Sequence, residues 1–188
     1  MIRSFKSFLA AVVLAACSVG AAVAAPVLAV IGPATVAPGS TFKIDVTASD
    51  LNDLYGYQFD LRFDASLFQV QSVMEGSLLQ AGGATLFDGG VFDNLSGSIG
   101  FVLGSLIGDG PGVSGSGVLA SFSFSSIGIG QGNFSLENVL ALDSTLADID
   151  VGAQALQVSV VPEPATLCLF AAAFGGLLVA RRRRKFGA

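Results

Sequence analysis

Two stretches of this chain alternate apolar and polar residues with a period of two, and that period fixes the kind of element they can form. From Thr41 to Ala48, Phe42, Ile44, Val46 and Ala48 fall on one side, with Thr41, Lys43, Asp45 and Thr47 on the other. From Tyr55 to Phe63, the inward set is Tyr55, Tyr57, Phe59, Leu61 and Phe63, and the outward set is Gly56, Gln58, Asp60 and Arg62. A helix would scatter these sets around its circumference, whereas a strand places them on opposite faces of a sheet. Five bulky inward groups on one strand mark the centre of a core.

Shorter strand signals surround these two. Val27 to Ile31 is an apolar run closed by Gly32-Pro33, and Leu67 to Met74 ends near Glu75-Gly76. In the glycine-rich middle, short strands are expected at Ala84 to Phe87, Val91 to Asn94 and Ser98 to Leu103, the last with Ile99, Phe101 and Leu103 on one face. Gly108 to Gly117 reads as a flexible loop. Val118 to Phe124 alternates again, with Val118, Ala120, Phe122 and Phe124 against Leu119, Ser121 and Ser123. Phe134 to Leu142 and Gln154 to Val160 complete the set, Leu156, Val158 and Val160 facing in. Eight or nine short strands with glycine-rich turns and no crossover helix predict an all-β fold, an antiparallel β-sandwich. Strand patterning alone leaves a closed barrel as the competing architecture.

The two ends of the chain do not belong to that fold. Arg3 and Lys6, the apolar Phe8 to Ala16 and the small residues Ala22-Val23-Ala24 have the order of a secretory signal peptide over residues 1–24. Cleavage after Ala24 is favoured, because cleavage after Ala25 would leave Pro26 directly behind the cut. Leu14-Ala15-Ala16-Cys17 also fits a lipobox, which would make Cys17 a lipidated first residue. At the other end, residues 161–188 run from Pro162-Glu163-Pro164 through an apolar stretch at 165–180 to Arg181, Arg182, Arg183, Arg184 and Lys185. The prolines stop the preceding strand, the apolar stretch is expected to form a transmembrane helix, and the basic block holds its C-terminus in the cytoplasm. Sixteen residues at ~1.5 Å each span roughly 24 Å, short of a ~30 Å hydrocarbon core, a deficit that arginine snorkelling reduces. The folded domain is therefore expected over residues 25–160.

Charge and composition restrict the chemistry of that domain. Between Ala25 and Val161, Lys43 and Arg62 stand against thirteen acidic side chains, a net of −11. Nucleic acid needs clustered Lys and Arg and is excluded as a partner. The chain has no histidine, and its two cysteines, Cys17 and Cys168, lie in the terminal segments. No Ser-His-Asp or Cys-His nucleophile can be built, a zinc site has no ligands in the domain, and no disulfide supports the core. Gly110-Pro111-Gly112-Val113-Ser114-Gly115 fits GxGxxG in letters but precedes a strand rather than a helix. Thirteen acids allow a glycosidase pair by chance, but the absence of tryptophan removes the usual sugar platform, so the chain is read as a non-enzyme. Calcium is the one small ligand the residue types suit: Asp143, Asp148 and Asp150 cluster before the last strand, and Asp50, Asn52 and Asp53 in an earlier loop. Neither group has EF-hand spacing, and ordinary polar turns use the same residues. Asn94-Leu95-Ser96 and Asn133-Phe134-Ser135 are formal glycosylation sequons.

Several segments in order resemble the cohesin domain, the jelly-roll sandwich that binds dockerin modules. They are Val36-Ala37-Pro38-Gly39-Ser40-Thr41-Phe42, then Leu54-Tyr55-Gly56-Tyr57-Gln58-Phe59-Asp60-Leu61-Arg62-Phe63-Asp64, Leu67-Phe68-Gln69-Val70, Gly76-Ser77-Leu78-Leu79, and Gly117-Val118-Leu119-Ala120-Ser121-Phe122-Ser123-Phe124. The tail, with Pro162, Glu163 and Pro164, the apolar stretch and the arginine block, resembles the PEP-CTERM sorting signal. The first resemblance implies a dockerin-like protein docking on one sheet face, for which Gln58, Asp60 and Arg62 are the candidates. The second implies an exosortase-type enzyme acting near the triplet at the inner membrane, and a destination in the cell envelope or outside it. Because carbohydrate-binding modules share the sandwich, an exopolysaccharide ligand is the alternative expectation, and fold likeness alone does not choose between them.

Overall fold

The computed structural model describes residues 25–162, which form eleven strands and one helical turn. The expected signal peptide with Cys17, and Glu163, Pro164, the apolar stretch and Arg181 to Arg184, lie outside the described residues. In chain order the elements are β1 (Val27–Ile31), β2 (Thr35–Val36), β3 (Thr41–Phe63), β4 (Phe68–Glu75), α1 (Ser77–Gln80), β5 (Thr85–Asp88), β6 (Val91–Asp93), β7 (Ser98–Leu106), β8 (Val113–Ser126), β9 (Gly130–Asp143), β10 (Gly152–Gln154) and β11 (Leu156–Val160).

The organising element is β3, which joins both expected alternating strands into one 23-residue ladder. A straight strand of that length would span about 75 Å. Yet Phe42 near its start and Phe63 at its end both pack on Phe124, with ring centroids 6.1 and 5.1 Å away. The strand must therefore double back, and it does so at residues 50–53, where Asp50 and Asp53 take φ of 55° and 59°. Short side chains of this type tolerate the left-handed region and bond the local backbone there. The first arm, residues 41–49, pairs with β1 and β8. The second, residues 54–63, pairs with β7 and β9. One sheet thus runs β10-β1-β3-β8-β4 and the other β2-β11-β9-β3-β7, with β5 and β6 on the far edge of β7. Open edges at β4, β10 and β2 make this a sandwich and not a closed barrel. Two short edge pairings, β1 with β10 and β2 with β11, are parallel.

Between the sheets lies a core without cysteine. Phe59, Phe68, Phe122, Phe124 and Phe134 are fully buried. Phe68 and Phe124 both pack on Phe134, with ring centroids 4.8 and 5.0 Å away. Such pairs add about 0.5–1.5 kcal/mol each beyond area burial, which helps replace the stabilisation that secreted domains often take from disulfides. Tyr57 crosses the layers, its hydroxyl donating to the Leu119 carbonyl oxygen at 2.7 Å. Burial, and then the charge of Glu75, push the Tyr57 hydroxyl far above its usual pKa.

Four expectations are corrected. Residues 113–117, read as flexible loop, are the start of β8, with Gly115 opposite Leu51 and Val113 opposite Leu54. Glycine allowed no side-chain pattern to betray that strand. Phe101 does not share the inward face with Ile99: a bulge turns it out, 57% exposed, and Val102 takes the buried position. Leu119 is the extra residue of a second bulge, between Ala120 opposite Val46 and Val118 opposite Thr47, and is buried rather than outward. Tyr55 is half-buried and donates its hydroxyl hydrogen to the Gly108 carbonyl, closing the loop before β8 instead of filling the core centre.

Candidate functional site

The second arm of β3 is the middle strand of its sheet, so its outward residues sit at the centre of a face. Gln58 is level with Leu103 of β7 and Leu140 of β9. Leu103 is in turn level with Asp88 of β5, and Gly56 with Ser105, Leu86 and Leu142 across the same sheet. Arg62 lies between Ser98 and Ser135. Its Nε donates to Glu137 Oε2 at 2.8 Å. That hydrogen bond and the accompanying charge hold the guanidinium above its ordinary pKa.

Asp60 has a different job from its neighbours. Both ladders shift register beside it, between Phe59 and Leu61 against β7 and between Gln58 and Asp60 against β9. The bulged residues Phe101 and Asn138 have φ of 65° and 49°. The Asp60 carboxylate holds both: Oδ1 accepts from the Phe101 backbone N–H at 2.7 Å and Oδ2 from Asn138 Nδ2 at 2.6 Å. One carboxylate therefore pins two bulges on opposite sides of its strand, and one of them aims a phenylalanine ring at solvent. Bulges that re-aim side chains in this way are built features of a sheet.

Around this polar centre the face is apolar. Leu86 is 58% exposed, Phe101 57% and Leu140 38%, with Leu103 half-buried between them. The outward face of the other sheet is of another kind, carrying Ser121, Ser123 and Ser125 on β8 beside Thr41, Lys43 and Asp45. Of the sequence candidates, Gln58 and Arg62 lie in the apolar face as free or surface-paired groups, while the Asp60 carboxylate is taken up by the two bulges. Phe101, Leu140, Leu86 and Asn138 were not among the candidates. Asn138, a residue type that tolerates the left-handed region, and Phe101 directly after Gly100 carried a faint bulge signal, but the register that brings these residues together is not written in either strand alone.

In the acidic clusters, Asp53 and Asp143 hold turns. Asp53 accepts from Ser144 Oγ at 2.6 Å and from the Gly112 backbone N–H at 2.5 Å, tying the β3 corner to two neighbouring loops. Asp143 accepts from Thr145 Oγ1 at 2.7 Å and from the Thr145 and Ala147 backbone N–H groups. These bonds, the Ser144 and Thr145 hydroxyls foremost, hold both carboxyls below the usual range. Asp148 bridges to Leu142 through the backbone, and Asp150 follows it in the same loop. No three acidic groups converge as a metal-holding set among the described residues. Pro162 is exposed at the end of the domain, two residues after the buried Val160. No helix among the described residues is long and apolar enough to cross a membrane.

Comparison with known proteins bears on the fold and the tail. Residues 27–155 match the model of the cohesin domain, and residues 160–185 that of the PEP-CTERM protein-sorting motif. A non-cellulosomal cohesin from the hyperthermophilic archaeon Archaeoglobus fulgidus superposes with a TM-score of 0.61 at 21% identity, covering 73% of this chain and 92% of that one. The cohesin module of a Clostridium perfringens family 33 glycoside hydrolase gives 0.61 at 12% identity over 74% and 98%. The sixth cohesin of Acetivibrio cellulolyticus scaffoldin B, solved in complex with the Cel5 dockerin, gives 0.57 at 20% identity over 73% and 100%. A comparison with curated proteins returns no match. The double-arm strand, the two-layer sandwich and the match across residues 27–155 lead to one conclusion: the chain belongs to the cohesin family, with a PEP-CTERM sorting motif directly behind the domain.

Proposed function

We propose that this protein is an exported, non-enzymatic adaptor whose cohesin domain captures a protein partner of the dockerin class on the β5-β7-β3-β9 face, at the cell surface or in its matrix. The observation that carries this reading is the set of solvent-facing Leu86, Phe101 and Leu140 around a polar centre braced by Asp60. An apolar core with a charged rim, here Asp88, Arg62 and Glu137, is the anatomy of a protein interface. The tail supports an exosortase-type enzyme acting near Pro162, Glu163 and Pro164, with the apolar stretch held in the inner membrane until then.

Exopolysaccharide is the competing ligand. Stacking on sugar needs exposed rings, and among the described residues Phe101 and the 37%-exposed Phe92 are those the sheet faces offer. Calorimetric titration of the domain with dockerin modules from the same organism separates the two. Leu86→Arg with Leu140→Arg should weaken binding at least tenfold while leaving the melting temperature unchanged, because both residues are exposed. Met74→Arg, 68% exposed on the opposite face, should do nothing. Retention on host exopolysaccharide, lost with Phe101→Ala and without any protein partner, would replace this reading with the second.

A further inference from the structure

The sandwich has two chemically different poles, and the sorting tail leaves from one of them. β11 ends at Val160 opposite Gly130, and the Val161 backbone N–H donates to Val36 oxygen at 3.1 Å, so the fold grips the chain up to the residue before Pro162. At the same pole, Gly39 N–H donates to Ser126 oxygen and Ile127 N–H to Leu67 oxygen, at 3.2 and 2.7 Å, drawing the turns at 37–40, 64–67 and 127–129 together. The turn at 94–97 joins them through Phe63 N–H to Gly97 oxygen, at 2.9 Å. This pole exposes Leu95 at 96%, Ile129 at 65%, Ile127 at 57% and Val161 at 48%. Its carboxylates, Asp64 and Asp93, are spent on their own turns. The other pole gathers Asp50, Asp53, Asp109, Asp143, Asp148 and Asp150 in the β3 corner and the two loops beside it.

Only Pro162, Glu163 and Pro164 separate Val161 from the apolar stretch that starts at Ala165. At most ~3.6 Å per residue, Val161 lies within about 14 Å of that start. The headgroup layer of one leaflet occupies roughly 5–8 Å of this distance. The polarity also suits the site, since six of the carboxylates named above gather at the far pole and two at this one.

We infer that the pole formed by Leu95, Ile127, Ile129 and Val161 is a lipid-contacting foot, which rests in the headgroup layer while the tail is anchored and holds the Pro-Glu-Pro triplet at a fixed depth. The inference rests on the tail being membrane-anchored before processing, and the test separates the two. The chain contains no tryptophan, so a single one is a unique reporter. The full-length chain carrying Ile129→Trp, and separately Leu95→Trp, is reconstituted into phosphatidylethanolamine–phosphatidylglycerol vesicles with headgroup-proximal brominated lipid. Leu146→Trp, at the acidic pole and 67% exposed, is the control.

Co-flotation with the vesicles, blue-shifted emission and at least twofold quenching at 129 and 95, with none at 146, is the expected result. Co-flotation with water-like, unquenched emission at both positions would overturn the foot and leave the anchor intact. A blue shift without bromine quenching would mean that protein and not lipid covers the pole, and would overturn it as well. Failure to float would reject the anchor, and the foot with it.

Discussion

Asp60 shows how an outward-facing residue can serve a face without being its contact point. Its two oxygens are occupied by Phe101 N–H and Asn138 Nδ2, so substitution changes the positions of other side chains before it changes any partner contact. Asp60→Ala should cost about 1–2 kcal/mol in urea unfolding, a charge-assisted bond on each side discounted for exposure. It should also weaken partner binding more than Gln58→Ala does, because only the former releases the Phe101 ring. Asp53, Asp93 and Asp143 give a second prediction at this scale. Each carboxyl is held below the usual aspartate range by hydroxyl and backbone donors. A depressed folded pKa contributes stability that is fully present above the unfolded value and disappears as pH falls through the folded one. The melting temperature should therefore be level from neutral pH down to about 4 and fall below it, and the fall should be shallower in Asp53→Asn with Asp143→Asn. The same residue types made the corner and the loop before β10 candidates for polar turns in the sequence; that the Asp53 oxygens are used by Ser144 and Gly112 was not legible, since those partners come from distant loops.

At the scale of elements, alternation located both arms of β3 within a residue or two, because inward Ile44, Val46, Phe59 and Leu61 admit no other face. It could not show that the arms enter different sheets, which depends on how residues 50–53 turn. Bulges defeated the pattern at Phe101, after which Val102 and Leu106 take the buried positions, and at Leu119, where one extra residue is buried beside Ala120. Glycine hid the start of β8: residues 113–117 pair with β3 although Gly115 and Gly117 give no periodicity. Close approach explains other glycines. A Cβ on Gly104 would lie 2.6 Å from the Tyr57 ring, and one on Gly76 2.1 Å from Val118 oxygen. Gly76→Ala should cost about 1–3 kcal/mol by forcing β4 and α1 off β8. Gly110→Ala, with nothing within 4 Å, should stay within about 0.5 kcal/mol of the parent in the same denaturation series.

At the scale of the whole molecule, fold and address were legible because each is carried by residue type in order: period-two strands in one case, Pro162 through Arg184 in the other. Of the proposed docking face the sequence showed only the central strand, since Leu86, Phe101, Leu103 and Leu140 meet through register across three other elements. Processing near the triplet predicts a mature C-terminus between Pro162 and Ala165, to be read by mass spectrometry of the exported protein; an intact Ala188 would indicate a resident membrane protein instead. The direct test of the docking face is methyl NMR of the domain titrated with its dockerin-class partner. The Leu86, Leu103 and Leu140 methyl resonances should shift together and saturate at one equivalent, while Met74 and Ile31 stay fixed. Shifts confined to Met74 and Ile31, or none in the leucines at saturation, would place the partner elsewhere and contradict the proposed face.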